Sequence, residues 1–175
     1  MIPLEKYPFS IRLLHWLIAV MIIGLLTIGL IMTGMAHDNP SRATLYSLHK
    51  SFGITVLLLG LLRLWLRLRL YIPPLPEALP ALERKLAHYG HYMFYVFMVA
   101  MPVSGYVMST SYGLPVKWFG LELPRLLTVD KARGQLAADF HAWAAYTLIA
   151  LIVLHVAGVL KHLIKERINL LARMT

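Results

Sequence analysis

Four long apolar segments restrict the fold of this chain more than any other feature of its sequence. They cover residues 13–36, 45–71, 88–110 and 135–162. As helices, each is long enough to cross the roughly 30 Å hydrocarbon core of a bilayer. Hydrophobic residues make up 59% of the chain and charged residues 14%, which excludes an ordinary soluble domain. We therefore predict an all-α, integral membrane four-helix bundle that forms a single domain over residues 1–175.

The basic residues are divided unevenly between the two sides of this predicted bundle. Eleven of the seventeen Lys and Arg residues lie on the side of the two termini and of the connection between the second and third segments. Lys and Arg accumulate in short cytoplasmic loops, so both termini are predicted to be cytoplasmic. The net charge of +9 fits this topology and contact with anionic lipid. A separate basic domain is missing, and we predict no nucleic-acid partner.

Histidine is the residue type that has to carry any metal chemistry here. The chain has no cysteine, which excludes disulfides, thiolate ligands and covalent c-type haem attachment. His141 and His155 lie fourteen residues apart in one apolar segment. Fourteen residues are close to four helical turns, so both rings project from nearly the same face, roughly 21 Å apart along the axis. A single helix could therefore ligate two stacked metal centres.

Alternating helix direction places four histidines at two depths. His15 and His155 fall at the cytoplasmic level, and His49 and His141 at the external level. Two bis-histidine haems stacked across the bilayer require this pattern, because each iron needs two axial nitrogens from facing helices. A zinc site usually gathers three or four ligands at one point, which fits less well. Interfacial hydrogen bonding is the alternative for any single histidine of this set.

Arg63 follows His49 by fourteen residues and therefore belongs to the same helix face at the cytoplasmic level. A buried arginine needs an anionic partner, and a haem propionate can accept two hydrogen bonds from a guanidinium. We predict this role for Arg63. The alternative is that its side chain extends to the membrane interface beside Arg67 and Arg69.

Three further histidines lie near the cytoplasmic level. His88 and His91 could replace His15 as a haem ligand or line a quinone site, and His162 is the candidate for hydrogen bonding to a quinone carbonyl. Anchoring at the membrane interface is the alternative for all three. His37 falls in an external loop and has no predicted role.

Several motifs resemble the bacterial cytochrome b561 family of small four-helix, di-haem membrane cytochromes. They are RLLHWL, LHKSFGITVLLLGLLRLWLRLR, HYGHYMFYVFMVAMPVSGYVM and FHAWAAYTLIALIVLHVAGVLKH, one from each segment. The resemblance implies a transmembrane cytochrome b domain with two haem b groups. It assigns His15 and His155 to the cytoplasmic haem, and His49 and His141 to the external haem. It also implies a ubiquinone site near His162 and an external surface that receives electrons from superoxide.

The predicted function is therefore transfer of single electrons across the bacterial inner membrane, with superoxide oxidised at the periplasmic face and ubiquinone reduced. A first alternative is a haem-bearing anchor subunit that passes electrons from a hydrogenase-like or dehydrogenase partner to quinone. A second alternative is a non-redox bundle or transporter whose histidines move protons or anchor interfaces.

Overall fold

The computed structural model describes residues 5–175 and contains four long helices. They are α1 (Phe9–Gly34), α2 (Arg42–Arg69), α3 (Ala81–Ser111) and α4 (Lys131–Ile164). All four are long and apolar enough to cross a membrane. The α3–α4 connection contains an antiparallel hairpin of β1 (Lys117–Trp118) and β2 (Leu121–Glu122), and a 3₁₀ turn covers Leu171–Arg173. The prediction of an all-α bundle of four membrane-spanning helices is confirmed.

Every helix begins before the apolar segment found in the sequence, and α1 and α2 end two residues before theirs. α3 begins at Ala81 directly after Pro80, seven residues before the predicted start. α4 begins at Lys131, where the Asp130 side chain accepts a hydrogen bond of 3.0 Å from the Arg133 amide. Hydropathy detects only the part of a helix in hydrocarbon, whereas start signals such as an Asp cap lie in the polar interface.

Neighbouring helices in the sequence pack against one another, in the order α1, α2, α3 and α4. One apolar cluster joins α1, α2 and α3 and contains Leu14, Ile18, Val56 and Met98. A second cluster joins α3 and α4 and contains Phe97, Ala144 and Leu148. Gly60 permits the first cluster to close, since a Cβ there would lie 3.2 Å from Met98 Sδ. Many large apolar side chains point outward, as expected of a lipid-facing surface.

The backbone of α4 makes little close contact with α1 or α2. Helices packed directly on each other have axes 8–10 Å apart, and small side chains at the contact permit the closest approach. The two faces are instead connected by side chains, including Ile22 and Leu26 of α1 against the Phe97 cluster. This arrangement leaves interhelical space on the α1–α2 side of α4.

Hydrogen bonds hold the connections against the helices at each end of the bundle. At the outer end, defined by the α1–α2 and α3–α4 connections, Ser51 Oγ donates to the Lys117 carbonyl at 3.2 Å and accepts from the Phe119 amide at 3.0 Å. At the inner end, defined by the α2–α3 connection, the buried Arg173 guanidinium donates to the carbonyls of Pro73 and Pro74 at 2.9 Å. These contacts fix the connections relative to the helices.

Candidate cofactor sites between the helices

The outer pair of histidines consists of His49 on α2 and His141 on α4. Their ring centroids are 6.2 Å apart and their planes are inclined by 68°. Each ring lies against a glycine of the preceding helix: a Cβ at Gly29 of α1 would be 3.4 Å from His49 Cε1, and one at Gly105 of α3 would be 3.4 Å from His141 Cε1. A Cβ at either position would just reach van der Waals contact with the ring, so a side chain larger than alanine would displace it. The two imidazoles therefore face each other across the space beside α4.

The inner pair consists of His15 on α1 and His155 on α4. Its ring centroids are 6.4 Å apart, with planes inclined by 65°. On α4 the two pairs are separated by Ala144 and Leu148, which are buried in the apolar cluster with Phe97. The structure thus brings together both histidine pairs suggested by the sequence, at two levels with an apolar layer between them.

The spacing within each pair suits two imidazoles on opposite sides of one metal ion. A histidine nitrogen binds a metal at about 2 Å, and adding the distance from each nitrogen to its ring centre gives centroids roughly 6 Å apart. The observed values of 6.2 and 6.4 Å agree with this separation. The helices that carry each pair also have space between their backbones. At both levels the paired imidazoles would hold a flat metal macrocycle by its metal ion.

His155 has a second imidazole neighbour, His91 of α3. Their ring centroids are 5.8 Å apart, and the Phe94 ring lies 5.4 Å from His155 on the same side. His88 lies apart from this group and lines a cleft of about 1060 Å³ together with His91 and Arg67. The 6.4 Å between His15 and His155 is nearer to the 6.2 Å of the outer pair than is the 5.8 Å between His91 and His155. His15 therefore stays the predicted partner of His155, with His91 as part of the wall.

Arg63 extends into the inner level rather than to the end of α2. Its Nη1 donates to the Tyr95 hydroxyl at 2.8 Å, and the guanidinium lies within electrostatic range of His15 and His155. Its Nε is buried without a hydrogen-bond partner among residues 5–175. A half-buried cation with a buried, unpartnered Nε–H fits an anionic group at this level. A propionate carboxylate has the required charge.

His162 lies in a polar cluster at the inner end, away from the histidine pairs. Its Nδ1 is 2.7 Å from Glu166 Oε2, and its Nε2 is 3.4 Å from Glu83 Oε2. Lys161 bridges the same two carboxylates, with an ion pair to Glu83 and another of 3.0 Å to Glu166. Hydrogen bonds from His162 and Lys161 lower the pKa of Glu166 below its ordinary value. Both ring nitrogens of His162, the candidate quinone-binding residue, therefore face carboxylates in this structure.

Several residues in these sites were not identified from the sequence. Gly105, Ser104 and Tyr95 contact the ligand candidates or Arg63, and Glu83 approaches His162 from 79 positions away in the chain. Gly105 and Ser104 belong to the PVSG motif of α3, which begins with Pro102. Two small residues shortly after a proline inside a helix were the available signal for a close contact. Nothing in the sequence marks Glu83 as a neighbour of α4, because that contact depends on how the helices pack.

The fold and these sites define a multi-pass membrane protein with paired histidines that fit a metal macrocycle between its helices. Residues 6–175 match the family described as prokaryotic cytochrome b561. Because the match covers nearly the whole chain, the chain belongs to the prokaryotic cytochrome b561 family. It is thus a bacterial membrane cytochrome of the b type, an electron carrier whose cofactor is haem b. The family resemblance stated from the sequence motifs is confirmed.

Two curated relatives cover almost the same length. The chain is 32% identical over 175 residues to "cytochrome b561 homolog 2" of Escherichia coli (strain K12), an alignment that covers 97% of this chain and 91% of that protein. It is 27% identical over 162 residues to the "probable superoxide oxidase CybB" of Yersinia pestis, which covers 92% and 90% respectively. These similarities therefore concern the whole bundle rather than one segment.

Proposed function

We propose that this cytochrome carries two haem b groups and transfers single electrons across the inner membrane, from superoxide at the periplasmic face to ubiquinone. Oxidation of two superoxide anions yields two molecules of dioxygen and two electrons, which with two protons convert one quinone to quinol. The observation that carries the proposal is the pair of matched histidine sites, with centroid distances of 6.2 and 6.4 Å. Bound haem supplies the one-electron iron couple at each level.

In this proposal the chain supplies ligands, charge and exclusion of water. His49 and His141 hold the outer haem, and His15 and His155 the inner one. The Arg63 guanidinium pairs with a haem propionate. This role is supported by its Nε, which is buried and has no hydrogen-bond partner in the described part of the chain. The apolar clusters between the levels keep water away from the path between the two sites, which leaves electrostatic interactions less screened.

The quinone is placed at the inner end beside His162. Of the two contacts made by that ring, the 3.4 Å approach of Nε2 to Glu83 is longer than the 2.7 Å contact of Nδ1 to Glu166. A quinone carbonyl would replace the longer contact and accept a hydrogen bond from Nε2, with hydrogen on both ring nitrogens because Nδ1 donates to Glu166. Glu166 then keeps its contact with His162 Nδ1, and Lys161 keeps its ion pair with Glu166. This chain of groups holds protons close to the site of quinone reduction.

Support for superoxide as donor comes from the printed name of the Yersinia pestis relative and from cations at the outer end. Lys50 follows His49 directly and its Nζ donates to the Pro115 carbonyl at 3.0 Å. Arg133 donates to Ser111 Oγ at 2.9 Å and to the Thr128 carbonyl. Because backbone carbonyls and a hydroxyl accept these bonds, the positive charges can attract an anion from the periplasm.

Difference spectroscopy of detergent-purified protein tests this function. The expected result is two b haems per chain by the pyridine haemochrome assay, reduced by superoxide and reoxidised when a soluble ubiquinone is added. If superoxide does not reduce the two haems and a soluble dehydrogenase co-purifies with the protein, the anchor-subunit function would replace the proposed superoxide oxidation. A folded protein without haem absorption would show that both redox functions are wrong.

A further inference from the structure

Ser104 on α3 makes two short polar contacts at the outer histidine pair. Its side chain is only 7% exposed. Its Oγ lies 2.9 Å from Nδ1 of His141 and 2.9 Å from the carbonyl oxygen of Met101, one turn earlier in the same helix. Both contacts fall within the ordinary distance of a hydrogen bond.

These two contacts favour one tautomer of His141. A serine hydroxyl has one hydrogen to donate, and a carbonyl can only accept. When the hydroxyl donates to Met101, its oxygen has lone pairs left for His141, so Nδ1 of His141 must carry the hydrogen and donate. A neutral imidazole with hydrogen on Nδ1 has its free lone pair on Nε2. The ring is then ready to bind a metal through Nε2.

The other member of the outer pair lacks such a partner. Nδ1 of His49 is buried and has no hydrogen-bond partner in the described part of the chain. A backbone carbonyl lies beside each ring, Leu25 beside His49 and Met101 beside His141, so the Ser104 hydroxyl is the polar group that distinguishes them. The two ligands of the outer site therefore differ, although each rests on a glycine at the same 3.4 Å distance.

We propose that Ser104 is a positioning residue for the outer haem: its hydroxyl selects the His141 tautomer with a free Nε2 and fixes the plane of that ring. This inference rests on the proposed function of His141 as an axial ligand. A hydrogen bond from the distal nitrogen of a ligating histidine orients the ring and increases its basicity. A more basic ligand favours the oxidised iron. Loss of the hydroxyl should therefore raise the midpoint potential of the outer haem.

Three variants of purified, haem-loaded protein test the proposal by redox titration and low-temperature EPR. Ser104→Ala is expected to raise the midpoint potential of one haem, leave the other unchanged, and alter the EPR signal that reports ligand-plane orientation. Ser104→Thr keeps the hydroxyl, and its extra methyl has room in the groove of about 430 Å³ that this residue lines. It should retain the wild-type potential. Ser109→Ala is the control, because Ser109 is also buried on α3.

The outcomes separate this inference from the proposed function. If Ser104→Ala loses the outer haem, retention of that haem by Ser104→Thr at the wild-type potential supports the inference. Titration curves and EPR signals of Ser104→Ala identical to those of Ser109→Ala would overturn the positioning role and leave the di-haem function intact. Equal loss of haem in the Thr and Ala variants would also overturn it, since the hydroxyl would then be irrelevant. Wild-type protein without haem would overturn both.

Discussion

The rings of His49 and His141 face each other at 6.2 Å although the helices that carry them make little close backbone contact. The side chains, and not helix packing, bring these two groups together. The same is true of His15 and His155, which are 6.4 Å apart on α1 and α4. In both cases the imidazoles span an interhelical space that suits a macrocycle.

Removal of either outer ligand should therefore release one haem and spare the other. His49→Ala and His141→Ala are each expected to reduce the pyridine haemochrome value from two haems per chain to one. His37→Ala serves as the control, because His37 is exposed in the α1–α2 connection, where it contacts Arg42. Survival of both haems in either outer variant would show that the pairing is wrong.

The inner site has its own test, because His155 has two imidazole neighbours. His15→Ala is expected to release the inner haem. His91→Ala is expected to retain both haems with a small spectral shift, since His91 packs against the side of the His155 ring at 5.8 Å. The reverse pattern in absorption spectra and haem counts would make His91 the axial ligand.

The glycines beneath the outer rings should be sensitive to size. A valine at Gly29 or Gly105 places its Cβ 3.4 Å from an imidazole carbon and its methyl groups closer still. We expect Gly29→Val and Gly105→Val to displace the ring and release the outer haem. Overpacking of this kind typically costs about 1–3 kcal/mol, so the bundle should still fold. Haem content and circular dichroism measure the two effects separately.

Gly34→Val is the matched control for the α1 variant. A Cβ at Gly34 meets nothing within 4 Å, and this glycine is exposed at the end of the same helix. Its haem content should equal that of the wild type. Full haem occupancy in Gly29→Val would contradict the close seating of His49.

The sequence predicted the helices and the levels of the histidines because both depend on local periodicity. An apolar run must be helical to cross a bilayer, and a fourteen-residue interval keeps two side chains on one face. Those rules are independent of how the helices pack. They therefore placed His141 and His155 correctly along α4 without any knowledge of the neighbouring helices.

Other features depend on contacts between distant parts of the chain and were not predictable in this way. The β1–β2 hairpin gives no signal in the sequence, since two-residue strands have no periodicity to detect. The hydrogen bond between Ser104 and His141 requires a particular rotation of α3 against α4. The approach of Glu83 to His162 requires α3 to extend into the interface beyond its apolar segment.

Neutralisation of Arg63 should lower the midpoint potential of the inner haem. A positive charge beside a haem opposes oxidation, which adds a further positive charge, and Arg63 lies within electrostatic range of both inner ligand candidates. For Arg63→Gln we expect a decrease of roughly 60 mV, equal to a tenfold change in a one-electron equilibrium. Potentiometric titration of the two haem signals measures it.

Arg69→Gln makes the same change of charge at the last residue of α2, where the side chain is exposed. Its effect should be small, because solvent screens exposed charges. Equal shifts in the two variants would indicate a general surface effect and would contradict a specific contact between Arg63 and a propionate.

The Glu166 cluster should make stability sensitive to acid. Hydrogen bonds from His162 and Lys161 lower the pKa of Glu166 in the folded protein below its ordinary value of 4.5. A carboxyl group with a lowered folded-state pKa stabilises the fold above its unfolded pKa, and this contribution is lost as the pH falls through the folded value. The melting temperature of the wild type should therefore exceed that of Glu166→Gln at neutral pH. The difference should shrink below about pH 4.5.

Glu122→Gln provides the comparison for this experiment. Glu122 is exposed on β2 and its nearest cation, Lys117, is 4.0 Å away. An exposed pair of this kind contributes little, so its melting temperature should follow the wild type at every pH. A constant difference between wild type and Glu166→Gln from pH 7 to pH 3 would exclude the ionised carboxylate as the cause.

Membrane orientation can be measured without background because the chain contains no cysteine. Glu122→Cys in the hairpin and Glu77→Cys in the α2–α3 connection introduce single thiols at exposed positions on opposite ends of the bundle. With the termini and the α2–α3 connection in the cytoplasm, an impermeant maleimide should label Glu122→Cys in intact spheroplasts. It should label Glu77→Cys only after lysis. The opposite pattern would place the outer histidine pair on the cytoplasmic side and would remove superoxide from the periplasm as its donor.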